Sequence, residues 1–173
     1  MTLPYDVMTD PAVAARRYRL LAMLIDCVPL FFVNLALGSL LNPQWFNTTV
    51  GDASLSSSGG LLGVLFVNPF QDPYWFSDQV FAAVAGLYFW TCHFRWGQTL
   101  GKKLCRIKVV TTDGNPLTSR QSALRAVFYC GVIMIPYVGV PLALADQLMI
   151  AGSERRCLHD ILAGTVVIKA PRW

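Results

Sequence analysis

Apolar residues run almost unbroken from position 20 to 41, a stretch of 22 residues. A helix of that length rises about 33 Å, enough to cross the hydrocarbon core of a bilayer. Arg16, Arg17 and Arg19 lead into it, and Asp26 is the carboxylate inside it. Pro29 predicts a kink, and Gly38 leaves room for a close neighbour. A second apolar run covers 78–94. Its Ala82, Ala83, Ala85 and Gly86 suit close helix contact, and Arg95 and Trp96 end it. A third run, 126–151, is interrupted by Pro136, Gly139 and Pro141. It reads either as one kinked span or as two helices joined at that corner, each too short to cross alone.

The connections have their own patterns. Residues 42–77 are rich in Ser, Gly, Asn and Pro around a short apolar piece. Trp45, Phe46, Phe70, Tyr74, Trp75 and Phe76 cluster at its two ends, as aromatics do at a headgroup boundary. Residues 104–110 and 165–169 are β-branched enough to predict two short strands. Asp113-Gly114 followed by Asn115-Pro116 marks a turn, and Thr118 or Ser119 is placed to cap the helix that follows.

Composition turns these elements into a class. The chain is 54% hydrophobic and 14% charged, against about 25% charged in ordinary soluble domains. The expected fold is an all-α membrane protein: a small bundle of three to four transmembrane or re-entrant helices with a small cytoplasmic two-stranded β element. One domain is expected over 1–173, with helices near 17–41, 78–95, 120–135 and 139–151. The first apolar run is longer than a signal-peptide core and has no clear small-x-small site after it, so an uncleaved span is expected.

Charge sets the orientation. Of the 14 Lys and Arg, three precede the first span, seven lie between Arg95 and Arg125, and four follow Gly152. The 42–77 segment has none. By the positive-inside rule this segment is outside and the N-terminus inside. A single third span would carry Arg155, Arg156, Lys169 and Arg172 outside. A broken hairpin keeps them inside and lets the two strands pair, so the charge pattern favours the hairpin.

The same hairpin brings charges together. Arg19 and Asp26 are seven residues apart and share a helix face, about 10.5 Å apart along the axis. A group from another helix is needed to bridge them, and Asp146 and Arg125 are the candidates. Asp26 lies six residues in from Leu20, and Asp146 six before Gly152. With both ends inside, the two carboxylates share a depth of about 9 Å. Two aspartates with two arginines form a neutral cluster, the cheapest way to bury them. The cluster reads either as an ion or proton site or as a structural ion-pair network.

Other chemistry is weak. Five cysteines form no C-x-x-C pair and none lies in 42–77, so neither a disulfide framework, a zinc site nor any cofactor is expected. GQTLGKK, from Gly97, has three residues between its glycines and a second lysine after the first, which does not fit a phosphate loop. His159-Asp160 lacks the further ligands of a metal-dependent phosphohydrolase and reads as a turn that ties the tail to the middle segment. His93 reads as an interfacial anchor. The basic segments flank membrane spans rather than alternating with aromatics, which argues against nucleic acid. No enzyme is expected. The expected partners are the lipid bilayer and either further copies of the chain or a larger membrane complex.

RLLAMLID, from Arg19 to Asp26, resembles the first-helix signature of the RDD family, named for one arginine and two aspartates. GQTLGKKLCRIKVVTTDGNPLT with the following SALRA, and then RRCLHDILAGTVVIK, extend the resemblance in order along nearly the whole chain. By position, Arg19 matches the arginine, Asp26 the first aspartate and Asp146 the second. Cys105 and the long 42–77 segment depart from the pattern. The resemblance implies a bacterial inner-membrane protein and a transport role, since relatives have been linked to cation/proton exchange. The reading it supports is proton-coupled cation exchange by an oligomer using the Arg/Asp/Asp cluster. The alternative is a non-catalytic accessory or assembly subunit.

Overall fold

The computed structural model describes residues 13–41, 75–152 and 156–170. Helix α1, Arg16–Leu41, takes the first apolar run whole, with Pro29 inside it. It is exposed over most of its apolar length: Phe31 and Phe32 are 63% and 62% accessible, and Leu24, Val28 and Leu40 also face outward. An exposed apolar face of this size is what a lipid environment covers. Among the described residues α1 is the one helix both long and apolar enough to cross a membrane. A bundle of three to four crossing helices is therefore more than the structure supports.

Helix α2, Trp75–Trp96, begins three residues earlier than expected, so residues 75–77 belong to it. The rest of the expected outer loop, 42–74, lies outside the described residues. Thr99 then caps a five-residue helix, α3 (Leu100–Leu104), which the sequence reading missed. Leu104 ends this helix instead of opening a strand. The chain reverses through Arg106 at φ 54°, and β1 runs Ile107–Thr111.

The third apolar run is broken. Helix α4, Ser119–Gly131, starts at a capping box between Thr118 and Gln121. A 3-10 turn, Val132–Met134, leads to a corner where Tyr137 adopts φ 63°. Helix α5, Gly139–Leu148, follows and closes in a second 3-10 turn. At 13 and 10 residues, α4 and α5 rise only about 20 and 15 Å, too short to cross alone. Gly139 is required at the corner. A Cβ there would stand 2.3 Å from the Val132 carbonyl oxygen and 2.7 Å from that of Ile133.

Helix α6, Leu158–Leu162, and β2, Thr165–Lys169, complete the chain. β2 pairs antiparallel with β1, Val109 facing Val167 and Thr111 facing Thr165. On its other edge Val13 bridges Ile168, and the Ala14 N–H donates to the Val167 carbonyl at 3.0 Å. Ala14, Ala22, Ile107, Val109, Leu117 and Val167 form the core between this small sheet and the start of α1. Arg16 donates to the Gly152 carbonyl at 2.8 Å, so the segment after α5 returns to the end of the molecule where α1 begins. The sheet, α3, α6 and the start of α1 thus form one polar-bonded end, with α4–α5 as a short hairpin rising from it.

Candidate functional site: a cavity lined by opposed charges

A cavity of about 250 Å³ opens at that end. Arg19, Asp26, Arg125 and Asp146 all line it, and so do Lys102, Asp160, His159, Cys157 and Tyr129. The four charged residues singled out from the sequence are therefore neighbours of one space. Their partners differ from the expected ones. Arg19 and Asp26 are not bridged by Arg125 and Asp146. Both arginines instead pair with Asp160.

Asp26 is 3% exposed and held by three donors. The Tyr88 hydroxyl donates to Oδ1 at 3.0 Å, the Gly101 N–H to the same oxygen at 2.8 Å, and Thr99 Oγ1 to Oδ2 at 2.5 Å. Two of the three come from the start of α3, within the GQTLGKK stretch whose spacing does not fit a phosphate loop. Its helix N-terminus does receive an anion, but that anion is the carboxylate of α1. Gly101 makes the approach possible, because a Cβ at that position would meet the Ala22 carbonyl oxygen at 2.0 Å. Among the described residues Asp26 has no ion pair within 4 Å. Lys102 extends its ammonium over the Tyr129 ring, 5.7 Å from the centroid. Burial and the nearby Arg125 lower its pKa to about 8, against the opposing pull of Asp26 and Asp160.

Asp160 is 1% exposed. Arg19 Nη1 reaches its Oδ2 at 3.2 Å, and Arg125 Nη1 binds its Oδ1 at closer range. Arg125 Nη1 also donates to Thr165 Oγ1 at 2.6 Å, and Arg19 Nη2 to the Val167 carbonyl at 3.3 Å. These bonds tie α1 and α4 to α6 through one carboxylate and to β2 through Thr165 and Val167. Burial alone would raise the Asp160 pKa. Arg125, His159 and Arg19 outweigh it and hold the group ionised well below the ordinary carboxylate range.

Asp146, 2% exposed, faces α6. The His159 backbone N–H donates to its Oδ1 at 2.9 Å, and His159 Nδ1 lies 2.7 Å from its Oδ2. Gln147 adds a 3.1 Å bond to Oδ2. The far ring nitrogen, Nε2, is 3.0 Å from the Tyr129 hydroxyl. Burial first, and then Arg125, lower the His159 pKa despite the raising effects of Asp160 and Asp146. The imidazole is therefore neutral at neutral pH. The compatible pattern has Nδ1–H donating to Asp146 and Nε2 accepting from Tyr129. Carboxylate, imidazole and phenol form a continuous hydrogen-bonded chain along the cavity wall.

Asp160 is the residue the sequence reading left out of the cluster. Its signal was present but disguised. Cys157 and Asp160 form a capping box at the start of α6, and the motif is normally sought with Ser or Thr in the first place. Tyr88, Thr99 and Tyr129 carried no spacing that marked them, because Tyr88 and Thr99 reach Asp26, and Tyr129 reaches the cavity, only through packing of separate elements.

The family model described as the RDD family matches residues 13–164. A relative from Bacillus subtilis (strain 168), named "Uncharacterized protein YckC", is 30% identical over 137 residues. The match covers 76% of this chain and 88% of the relative. No solved structure matches. The matched span takes in α1 with Arg19 and Asp26, the hairpin with Arg125 and Asp146, and α6 with Asp160. The chain belongs to the RDD family of membrane proteins.

Proposed function

We propose that the protein exchanges a cation for protons across the membrane, acting as an oligomer. In this reading its termini and sheet lie on the cytoplasmic side of a bacterial inner membrane, the orientation that the distribution of Lys and Arg favours. The observation that carries the reading is the single cavity lined by three carboxylates and three basic side chains, with a neutral histidine bonded to one of the carboxylates. A volume of about 250 Å³ has room for several waters or a hydrated ion. Asp146, His159 and Tyr129 supply the path along which a proton moves when a cation takes its place at the carboxylate. One copy of the chain encloses too little for a full pathway, and neighbouring copies complete it.

Purified protein in liposomes tests this. A cation gradient should drive a change in internal pH, and Asp146→Asn should abolish it while the protein remains monodisperse. Wild-type liposomes without cation-dependent proton movement would defeat the proposal.

A second reading is favoured by a different observation. Asp26 and Asp160 are fully engaged, the first by three donors and the second by two arginines. Such groups fix helix packing, as in an accessory or assembly subunit of a larger complex. Recovery of the native protein in mild detergent distinguishes the two: a stoichiometric hetero-complex supports the accessory role, a homo-oligomer the exchanger.

A further inference from the structure

Three different metal-ligating side chains meet on one wall of the cavity. Asp146 comes from the last turn of α5, Cys157 is the N-cap of α6, and His159 lies in the first turn of α6. All three are buried, and their ligating atoms lie within 4.8 Å of one another. In the sequence no standard spacing joins them, since ten positions including Arg155 and Arg156 separate Asp146 from the Cys-x-His pair. The break in the third apolar run and the return of α6 beneath α5 bring them together.

We propose that Asp146, Cys157 and His159 bind a divalent first-row transition ion of the zinc class, with the cavity supplying water as the fourth ligand. The inference does not depend on the exchange reading, because it concerns binding and not flux. Sulfur, imidazole nitrogen and carboxylate oxygen together select a borderline-soft ion over magnesium or calcium, which take oxygen ligands. Three protein ligands and one open position match the coordination of accessible zinc sites.

The surrounding bonds support the assignment. Metal-bound histidines donate their other ring N–H to a second group that fixes the ring. His159 has Tyr129 Oη at 3.0 Å and Asp160 Oδ1 at 3.5 Å from its Nε2. Asp146 is oriented by the His159 backbone N–H on one oxygen and by Gln147 on the other. The cap position adds an argument about the cysteine. Serine caps helices through a stronger acceptor than a thiol, so capping alone gives no reason for sulfur at position 157.

Binding requires a small rearrangement. The 2.7 Å separation of Asp146 Oδ2 from His159 Nδ1 opens to about 3.3 Å, the edge of a tetrahedron with bonds near 2 Å. The Nδ1 proton moves to Nε2, where the Tyr129 oxygen accepts it, so the imidazole stays neutral. The thiol proton leaves to solvent, and the sulfur donates its electron pair to the ion. The doubly charged ion with one carboxylate and one thiolate is neutral.

Cobalt titration of the metal-stripped protein in detergent tests the site. One equivalent of Co²⁺ should produce tetrahedral visible bands and a thiolate-to-cobalt charge-transfer band, and Zn²⁺ should displace it. Cys157→Ser keeps the cap, so the fold should hold. It should remove the charge-transfer band and weaken binding at least about 100-fold, the upper end of what loss of an outer-shell partner costs. His159→Gln should weaken binding similarly, and Tyr129→Phe about 10-fold. The proposal is overturned if wild type gives no charge-transfer band, or if the band survives in folded Cys157→Ser. In the second case one of the other four cysteines is the ligand. Cation-driven proton flux that persists in Cys157→Ser leaves the exchange reading standing and identifies the ion as something other than its cargo.

Discussion

The cavity has two ends that treat buried charge differently. At the α3 end, Asp26 is satisfied by a phenol, a hydroxyl and a backbone amide, all neutral. At the α6 end, Asp160 is satisfied by two guanidinium groups, and Asp146 by a neutral imidazole and an amide. Neutral donors satisfy hydrogen bonds without cancelling charge, while Arg19 and Arg125 together overcompensate Asp160 by one positive charge. The first arrangement locks α1 to α3. The second joins α1, α4 and α6 at one point and leaves Asp146 on a partner that can move a proton. A carboxylate held by rigid donors serves packing; one held by a titratable ring can take part in exchange.

The largest expected effect breaks the α6 end. Asp160→Asn leaves Arg19 and Arg125 facing each other in a buried space without their anion. Loss of one partner from a buried ion pair costs about 3–5 kcal/mol. Chemical unfolding in detergent should register a loss of that order. Acid tests the same group without mutation. The folded-state pKa of Asp160 lies below its ordinary 3.8, so the folded state binds fewer protons than the unfolded one just below pH 4. Its contribution is fully present above about pH 4 and is lost as pH falls toward the folded value. The stability of Asp160→Asn should therefore fall less than that of wild type as the pH is lowered below about 4.

The α3 end breaks through the backbone. Gly101→Ala places a methyl group where the Ala22 carbonyl oxygen stands 2.0 Å away. Overpacking of this kind costs about 1–3 kcal/mol, and the displacement also lengthens the Gly101 N–H bond to Asp26. A melting point in detergent equal to that of wild type would mean that α3 does not clamp α1. Cation-driven flux, measured well below the melting point, should fall less than it does in Asp146→Asn.

The two ends were unequally legible in the sequence. The apolar helices, the broken third run and the strand at 165–169 followed from apolar patterning and from Pro136, Gly139 and Pro141, because these are local properties of the chain. Arg19, Asp26, Arg125 and Asp146 stood out because charges within apolar helices are expensive. Asp160 did not, since it lies in a short polar segment where charge is cheap until the fold buries it. The α3 helix was hidden for a similar reason. Five residues give too little periodicity to separate a helical turn from the start of a strand, and its stability comes from Asp26, which is 73 positions away from Thr99. The Cys157–His159–Asp146 grouping has no local signature at all, because it depends on where α6 docks.

The finest comparison removes one phenolic oxygen at each end. Tyr88→Phe takes away one of three donors to Asp26, and Thr99 and Gly101 still hold the carboxylate. Tyr129→Phe takes away the partner of His159 Nε2. Each change costs about 1–2 kcal/mol, since each loses a hydrogen bond in a buried polar network. Stability alone therefore does not separate them, and flux does. Tyr88→Phe should leave cation-driven proton movement within about twofold of wild type. Tyr129→Phe should slow it at least about tenfold, in the range where a positioned proton-transfer group acts. Equal flux in the two variants would mean that the Asp146–His159–Tyr129 chain is a clasp like the one around Asp26. The two ends of the cavity would then differ only in the chemistry of their packing.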